Sequence, residues 1–262
     1  MESIQKIVSA FDPIKLEGME RVKLMDRIDT KYVFPSSALP QILEEMKSDY
    51  RLLDIDNIRL HRYESLYFDT PDFNLYSKHQ AGKLNRHKFR FRKYIDSGGL
   101  TYFEVKFKNN KSRTVKERVK IKDGSLNLTG KAELFLKSTT HFTSEMLVPK
   151  MWVNYSRMTF VNKSSQERLT VDTNLHYIKA DTEKQLTVNF PQMVIAEAKR
   201  DKVSSVSPFI RIVRERGVRE GSISKYCFGV FNLFPDLKSN NFKPRVRFVH
   251  KMAGTEFSQT GT

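Results

Sequence analysis

Three short runs that alternate basic and apolar side chains constrain this chain more than any other feature. They are Lys88-Phe89-Arg90-Phe91-Arg92, Phe103-Glu104-Val105-Lys106-Phe107-Lys108 and Val115-Lys116-Glu117-Arg118-Val119-Lys120. A strand points successive side chains to opposite faces. Each run therefore sets Lys and Arg on one face and mostly apolar residues on the other, with Glu117 as the exception. Adjacent strands of this kind make one continuous cationic surface backed by a hydrophobic one, which suits a polyanion.

Composition agrees. Lys+Arg number 46 against Asp+Glu 30, a formal net charge of +16, so anionic partners are expected: nucleic acid, phosphate compounds or acidic membrane. Hydrophobic residues make up 39%, enough for a core, which argues against wholesale disorder. A single cysteine, Cys227, excludes an intrachain disulfide and fits a reducing, cytoplasmic setting. The N-terminus carries no signal-type apolar run, and no apolar stretch is long enough to span a bilayer. A membrane partner supplied by another chain stays open.

The pattern along the chain predicts an N-terminal segment (1–20) with a turn at Phe11-Asp12-Pro13, one domain over 21–249 and a frayed tail over 250–262. Arg27 to Phe34 reads as a strand. Pro35-Ser36-Ser37 opens a serine-capped helix with Leu39, Ile42, Leu43 and Met46 at helical spacing. Tyr63 to Asp69 is a strand, and Phe73 to Gly82 a short helix or loop. The alternating runs follow as antiparallel hairpins, separated by Asp96-Ser97-Gly98-Gly99 and Asn109-Asn110-Lys111-Ser112. Lys131 to Met146 is mainly helical. Trp152 to Asn162, Arg168 to Leu175 and Met193 to Lys199 are strands, and helices start at Ser207-Pro208 and Ser222. About eight strands with inserted helices make an α+β protein dominated by one antiparallel sheet. Alternation alone does not separate an open, saddle-shaped sheet from a closed one whose charged face lines a wet tunnel.

The charged faces recur strand by strand. Arg27, Asp29 and Lys31 share one; Lys88, Arg90 and Arg92 the next; then Glu104, Lys106 and Lys108; then Lys116, Arg118 and Lys120. Arg157 and Thr159 follow, then Arg168, Thr170 and Asp172, then Glu197 and Lys199. Like charges on alternate residues repel, and a bound anion offsets that repulsion, because arginine forks match phosphate oxygens. Glu197 lies in an otherwise apolar strand and needs a partner, either a neighbouring cation or a divalent metal. No P-loop or dinucleotide glycine motif is present, and the histidines show no zinc spacing. Phe89 and Phe91 fall on the face away from the basic residues, which disfavours a nucleic-acid stacking platform.

Arg27-Ile28-Asp29-Thr30-Lys31-Tyr32-Val33, Ser65-Leu66-Tyr67-Phe68-Asp69-Thr70-Pro71, Asn85 to Tyr94, Phe103 to Lys108 and Ser224-Lys225-Tyr226 together resemble the VTC-type polyphosphate polymerase domain of the triphosphate tunnel metalloenzymes. The resemblance runs from about Arg21 to about Pro235. It implies an eight-stranded antiparallel β-barrel with helices around the outside, a triphosphate in the basic lumen and a Mn²⁺ or Mg²⁺ ion. Polymerase members move the γ-phosphate of ATP onto a growing inorganic polyphosphate chain. By position, Lys31, Arg90, Arg92, Lys106 and Arg157 would form the catalytic phosphate cluster, with Lys116, Arg118, Arg168, Ser224 and Lys225 on the substrate and Glu197 on the metal. Arg27, Lys88, Lys108 and Lys199, on the same charged faces, complete the substrate-binding set. Hydrolase relatives open with Glu-x-Glu-x-Lys; here Arg27 and Asp29 stand at those positions, which shifts the balance toward phosphate binding. Some polymerase members carry a basic residue two positions before the helix serine, where this chain has Ser222. A triphosphatase of the same fold and a non-catalytic binder of polyphosphate or inositol phosphates are the alternatives.

Overall fold

The structure is a computed structural model that describes residues 2–20, 27–111, 113–180, 186–201, 207–221 and 223–254. In chain order the elements are α1 (Glu2–Ser9), β1 (Asp12–Ile14), α2 (Leu16–Glu20), β2 (Arg27–Pro35), α3 (Leu39–Met46), β3 (Tyr50–Leu53), β4 (His61–Asp69), α4 (Asn74–Gln80), β5 (Arg86–Tyr94), β6 (Leu100–Lys108), β7 (Thr114–Ile121), α5 (Gly130–Thr139), β8 (Val148–Asn162), β9 (Glu167–Lys179), β10 (Thr187–Phe190), β11 (Met193–Asp201), α6 (Pro208–Glu215), α7 (Lys225–Leu233) and α8 (Lys243–Ala253). The protein is α+β, as its pattern predicts. Eight strands form one path, β2-β11-β9-β8-β4-β5-β6-β7, and every ladder on it is antiparallel.

Alternation fixes what each face does. The outer face is apolar and covered by helices in two patches. Over β2, β11, β9 and β8, the side chains of Tyr32, Phe34, Ala196, Val171 and Phe160 pack with Leu39, Ile42 and Leu43 of α3 and Phe209, Ile212 and Val213 of α6. Over β4 to β7, the side chains of Phe68, Phe89, Phe91, Phe103 and Val105 pack with Ala132 and Leu136 of α5. The inner face is charged. Residues directly opposite in a ladder share a face, and the register joins Lys31 to Glu197, Glu197 to Thr170, Arg157 to Asp172, Ser65 to Arg92, Arg90 to Glu104 and Lys106 to Lys116.

The sheet is strongly curled. Six strand spacings separate β2 from β6, about 29 Å on a flat sheet. Yet the ammonium of Lys106 on β6 feels the charges of Lys31 on β2 and Glu197 on β11. The two ends of the path therefore face one another across a lumen, although among the described residues no ladder joins β2 to β7. Instead, β2 borders the segment before α7: Tyr32 bridges Glu220, and the Gly221 amide donates to the Lys31 carbonyl at 2.8 Å. β7 stays an exposed edge, studded with Lys116, Arg118 and Lys120, and charge of that kind discourages edge-to-edge pairing.

Some local expectations change. Phe11-Asp12-Pro13 is no turn: Asp12–Ile14 pairs in parallel with β3. No serine caps α3. A 3₁₀ turn over Ser36–Ala38 precedes it, and neither end makes a side-chain cap. The Lys131–Met146 helix stops at Thr139, where Thr139 and Thr140 turn their hydroxyls back onto the Phe135 and Leu136 carbonyls. Beyond His250, α8 continues to Ala253; the helix buries Val246, Val249 and Ala253 and is capped by Gly254 in the left-handed region (φ 65°). Among the described residues no helix is long and apolar enough to cross a membrane.

Candidate functional site

One end of the lumen is filled from within. Past the charged zone the inner face turns apolar, with Val33, Tyr67, Met151, Val153, Tyr177 and Ile195. These residues pack against Tyr226, Cys227, Phe228 and Val230 of α7. Gly229 permits the approach: a Cβ there would stand 2.4 Å from the Tyr177 ring and 2.7 Å from the Met151 sulfur. Asp69 anchors the arrangement. Its buried carboxylate accepts the amides of Leu75 and Tyr76 at the start of α4, both at 2.9 Å, and the Tyr226 hydroxyl of α7. Burial still pushes its pKa up. Cys227 is a buried thiol, with its sulfur 3.1 Å from His79 Nδ1.

The start of α7 consequently meets the charged zone. Ser224 caps the helix, accepting the Cys227 amide at 3.3 Å, and also accepts Lys88 Nζ at 2.9 Å. Lys225 reaches Asp172. A helix N-terminus adds partial positive charge to a zone already rich in it.

Three carboxylates knit the cations together. Asp172 takes a two-pronged bond from Arg157 (2.6 and 2.8 Å) besides Lys225. Burial alone would raise it, but Arg157 and then Lys225 hold its carboxyl down to about 2. Glu104, 1% exposed, pairs with Arg90 at 2.6 Å and Lys116 at 2.5 Å and is likewise held well below the usual carboxylate range against its burial. Glu197 pairs with Lys31 at 2.5 Å and Lys199 at 3.2 Å, and Lys199 and Lys31 hold it far down. Arg92 donates to Tyr155 at 2.6 Å and Ser65 at 3.3 Å.

Positive charge still dominates. Tyr67 reports it: burial should raise the phenol, yet Arg90, Arg92 and Lys88 bring it below its ordinary value. Lys106 reports it too. Its side chain is exposed to the lumen. Burial, then Lys88, with Glu197 opposing, then Lys31 and Arg90, push its ammonium down to about 7. Lys116 is pushed down to about 8, chiefly by burial. Both shifts go the way expected where cations crowd together.

Lys31, Lys88, Arg90, Arg92, Lys106, Lys116, Arg157, Lys199, Ser224, Lys225 and Glu197 thus lie on this one face or at its helix cap. Arg168 pairs in register with Lys199, further from α7. Lys108 lies opposite Arg86 at the α7 end. Arg118 is exposed, its guanidinium 4.5 Å over the Tyr102 ring. The Arg27 side chain and all of Ser222 lie outside the described residues. Asp172 was legible as part of a strand face, but its partner Lys225 lies 53 residues away. The tyrosines Tyr63 and Tyr155 gave no sequence signal, because aromatic residues in strands are ordinary.

The donor set bears on a metal. Among the described residues no group of three or more His, Cys, Asp and Glu side chains is assembled. Glu197 is therefore a single carboxylate donor between two ammonium groups. Mg²⁺-type ions often take one or two carboxylates and complete their shell with substrate phosphates and water. The residues fit an ion that arrives with its phosphate, and not a preformed metal cage.

No curated protein matches the sequence. Among solved structures, a protein of Bacillus halodurans described as a candidate adenylate cyclase is 12% identical, with TM-score 0.49 over 80% of this chain and 97% of its own. A Hippeastrum protein, described as a candidate adenylyl cyclase with a dominant triphosphatase activity, is 15% identical, with TM-score 0.47 over 79% and 95%. A conserved hypothetical protein of Pyrococcus furiosus is 13% identical, with TM-score 0.37 over 88% and 92%. The family model of the VTC domain matches residues 26–234, which span the curled sheet and its α7 plug, and the chain belongs to the VTC domain family.

Proposed function

We propose that the lumen binds a nucleoside triphosphate and transfers its γ-phosphoryl group to the end of an inorganic polyphosphate chain. The observation that carries this reading is the convergence of Lys31, Arg90, Arg92, Lys106, Lys116, Arg157 and Lys225 on one curled face, knit together by Asp172, Glu104 and Glu197. Phosphoryl transfer asks mainly for alignment and for stabilisation of charge on the phosphate oxygens. Arg90 and Arg157, each with a carboxylate at its back, present rigid forks to those oxygens. Ser224 and Lys225 add the α7 N-terminus, and Lys106 takes up a proton as phosphate arrives.

The bond between the γ-phosphorus and the β–γ bridging oxygen breaks, and ADP leaves. The terminal oxygen of the chain forms the new bond to phosphorus. That oxygen is already ionised, so no general base is required. A Mn²⁺ or Mg²⁺ ion held by Glu197 and phosphate oxygens would supply further charge neutralisation. Inorganic polyphosphate and ATP are the partners this reading names.

Purified protein with ATP and Mn²⁺ tests it. A ladder of long-chain product on a gel supports synthesis. Orthophosphate alone would make the protein a triphosphatase, and neither product would leave a binder. Glu197→Gln should cut turnover at least tenfold while triphosphate affinity, read by calorimetry, falls far less. Unchanged turnover would contradict the role given to Glu197.

A further inference from the structure

The apolar outer face is left partly uncovered where β4 pairs with β8. Leu66 lies opposite Trp152 in that ladder, and over them opens a cavity of about 450 Å³. Phe68, Leu128, Leu147 and Ser144 are among the other side chains that line it. Its rim carries bare apolar groups. Leu134 of α5 is 71% exposed, more than any other large hydrophobic side chain among the described residues, and Met146 is 47% exposed. Both border the cavity. Glu133, next to Leu134, accepts the Ser144 hydroxyl at 3.3 Å, and Met146 stands between Ser144 and Leu147 in the chain. α5 turns Ala132 and Leu136 toward the core, so Leu134 points away from it.

Charge says what can cover this face. The chain carries a net +16, so two copies repel one another over most of their surface. From Lys122 to Pro149 the charges balance: Lys122, Lys131 and Lys137 stand against Asp123, Glu133 and Glu145. Lys137 and Glu133 also neutralise each other directly, at 2.6 Å. A polyanion gains little on a face without excess positive charge, whereas a second copy of this chain meets its least repulsion there. The shape suits a copy as well. A two-fold contact pairs one patch with itself, so a projecting side chain must lie beside the hollow that receives it. Leu134 and the cavity stand in that relation. We infer that the protein forms a homodimer through the α5 face, with Leu134 of each copy seated against Trp152 in the cavity of the other. The lumen lies on the opposite face of the sheet, and the dimer does not depend on what the lumen binds.

Trp152 is the only tryptophan in the chain, so its emission reports what fills the cavity. The test is sedimentation equilibrium with tryptophan fluorescence over a dilution series of wild type, Leu134→Glu and Leu16→Glu. Wild type should sediment as a dimer, and its emission should move to longer wavelength as dilution separates the copies. Leu134→Glu, which would bury an unpaired carboxylate, should weaken the dimer at least about tenfold. Leu16 is 56% exposed on α2, and Leu16→Glu makes the same change of charge. It should leave the dimer constant within about twofold. Added salt should tighten the dimer by screening the net positive charge. A monomer at every concentration, a dimer that Leu134→Glu leaves intact or that both variants weaken equally, or a dimer loosened by salt would overturn the inference. A protein that stays monomeric while decanol shifts the Trp152 emission would make the cavity a small-molecule site and would equally overturn the dimer.

Discussion

Lys106 sits where its charge is disfavoured. In the ligand-free protein its folded pKa, about 7, lies below that of a free lysine. Between about pH 7 and 10.4 the unfolded chain therefore binds more protons than the folded one, so this group makes stability rise with pH across that window. Lys106→Met should raise the thermal midpoint at pH 6 and raise it less near pH 10, because the penalty has already gone there. The same variant should weaken tripolyphosphate. Compared with Lys106→Arg, which stays charged, the wild type should lose tripolyphosphate affinity between pH 7 and 9, by at most about tenfold per unit for one linked proton. Parallel pH profiles for the two proteins would refute the linkage. Sequence reading reached Lys106 through alternation and family resemblance, since period two alone placed it beside Glu104 and Lys108. It could not reach the lowered pKa, which depends first on burial and then on Lys88, Lys31 and Arg90 arriving from other strands. Glu197 was open between metal and cation pairing; its contacts with Lys31 and Lys199 establish the pairing, and metal ligation remains part of the proposal.

At the scale of elements, α7 carries most of the design. It is nearly apolar, yet it fills the inside of a sheet whose inner face is otherwise charged, and it turns a capped N-terminus toward the cations. One end of the lumen is thereby filled on its β8–β9 side. Gly229→Ala tests the fit. A methyl pressed against Tyr177 and Met151 should cost about 1–3 kcal/mol of unfolding free energy in a denaturant titration, while the same change at exposed Gly124 should act only through its positive φ. No loss at position 229 would mean α7 is not seated as described. The central strands were legible because their alternation is strict and their hairpin separators are rich in Gly, Asn and Asp. β1, β3 and β10 were not, since three- or four-residue strands carry too little pattern to detect. The helix start at Ser207-Pro208 was legible, and Ser207 caps α6; the start read at Ser222 falls at Lys225, with Ser224 as its cap, and Pro35-Ser36-Ser37 has cap chemistry without a cap.

For the whole molecule, the informative property is the inversion of an ordinary barrel. Helices cover the apolar outside, and charge fills the inside. Alternation demanded two chemically distinct faces but not which one turned inward. That choice follows from long-range packing, with α3, α6 and α5 needing apolar partners and finding them only on the outer surface. Net charge then acquires a location, and binding of a polyanion should weaken steeply with salt, as it does wherever many phosphate contacts form together. The most direct measurement is a crystal structure of the protein soaked with tripolyphosphate and Mn²⁺. Phosphorus density running along the lumen between Arg90, Arg157, Lys31 and Lys106 toward the start of α7 is the predicted result. Tripolyphosphate bound only to the outer lysines, with the lumen holding solvent at saturating ligand, would contradict the account.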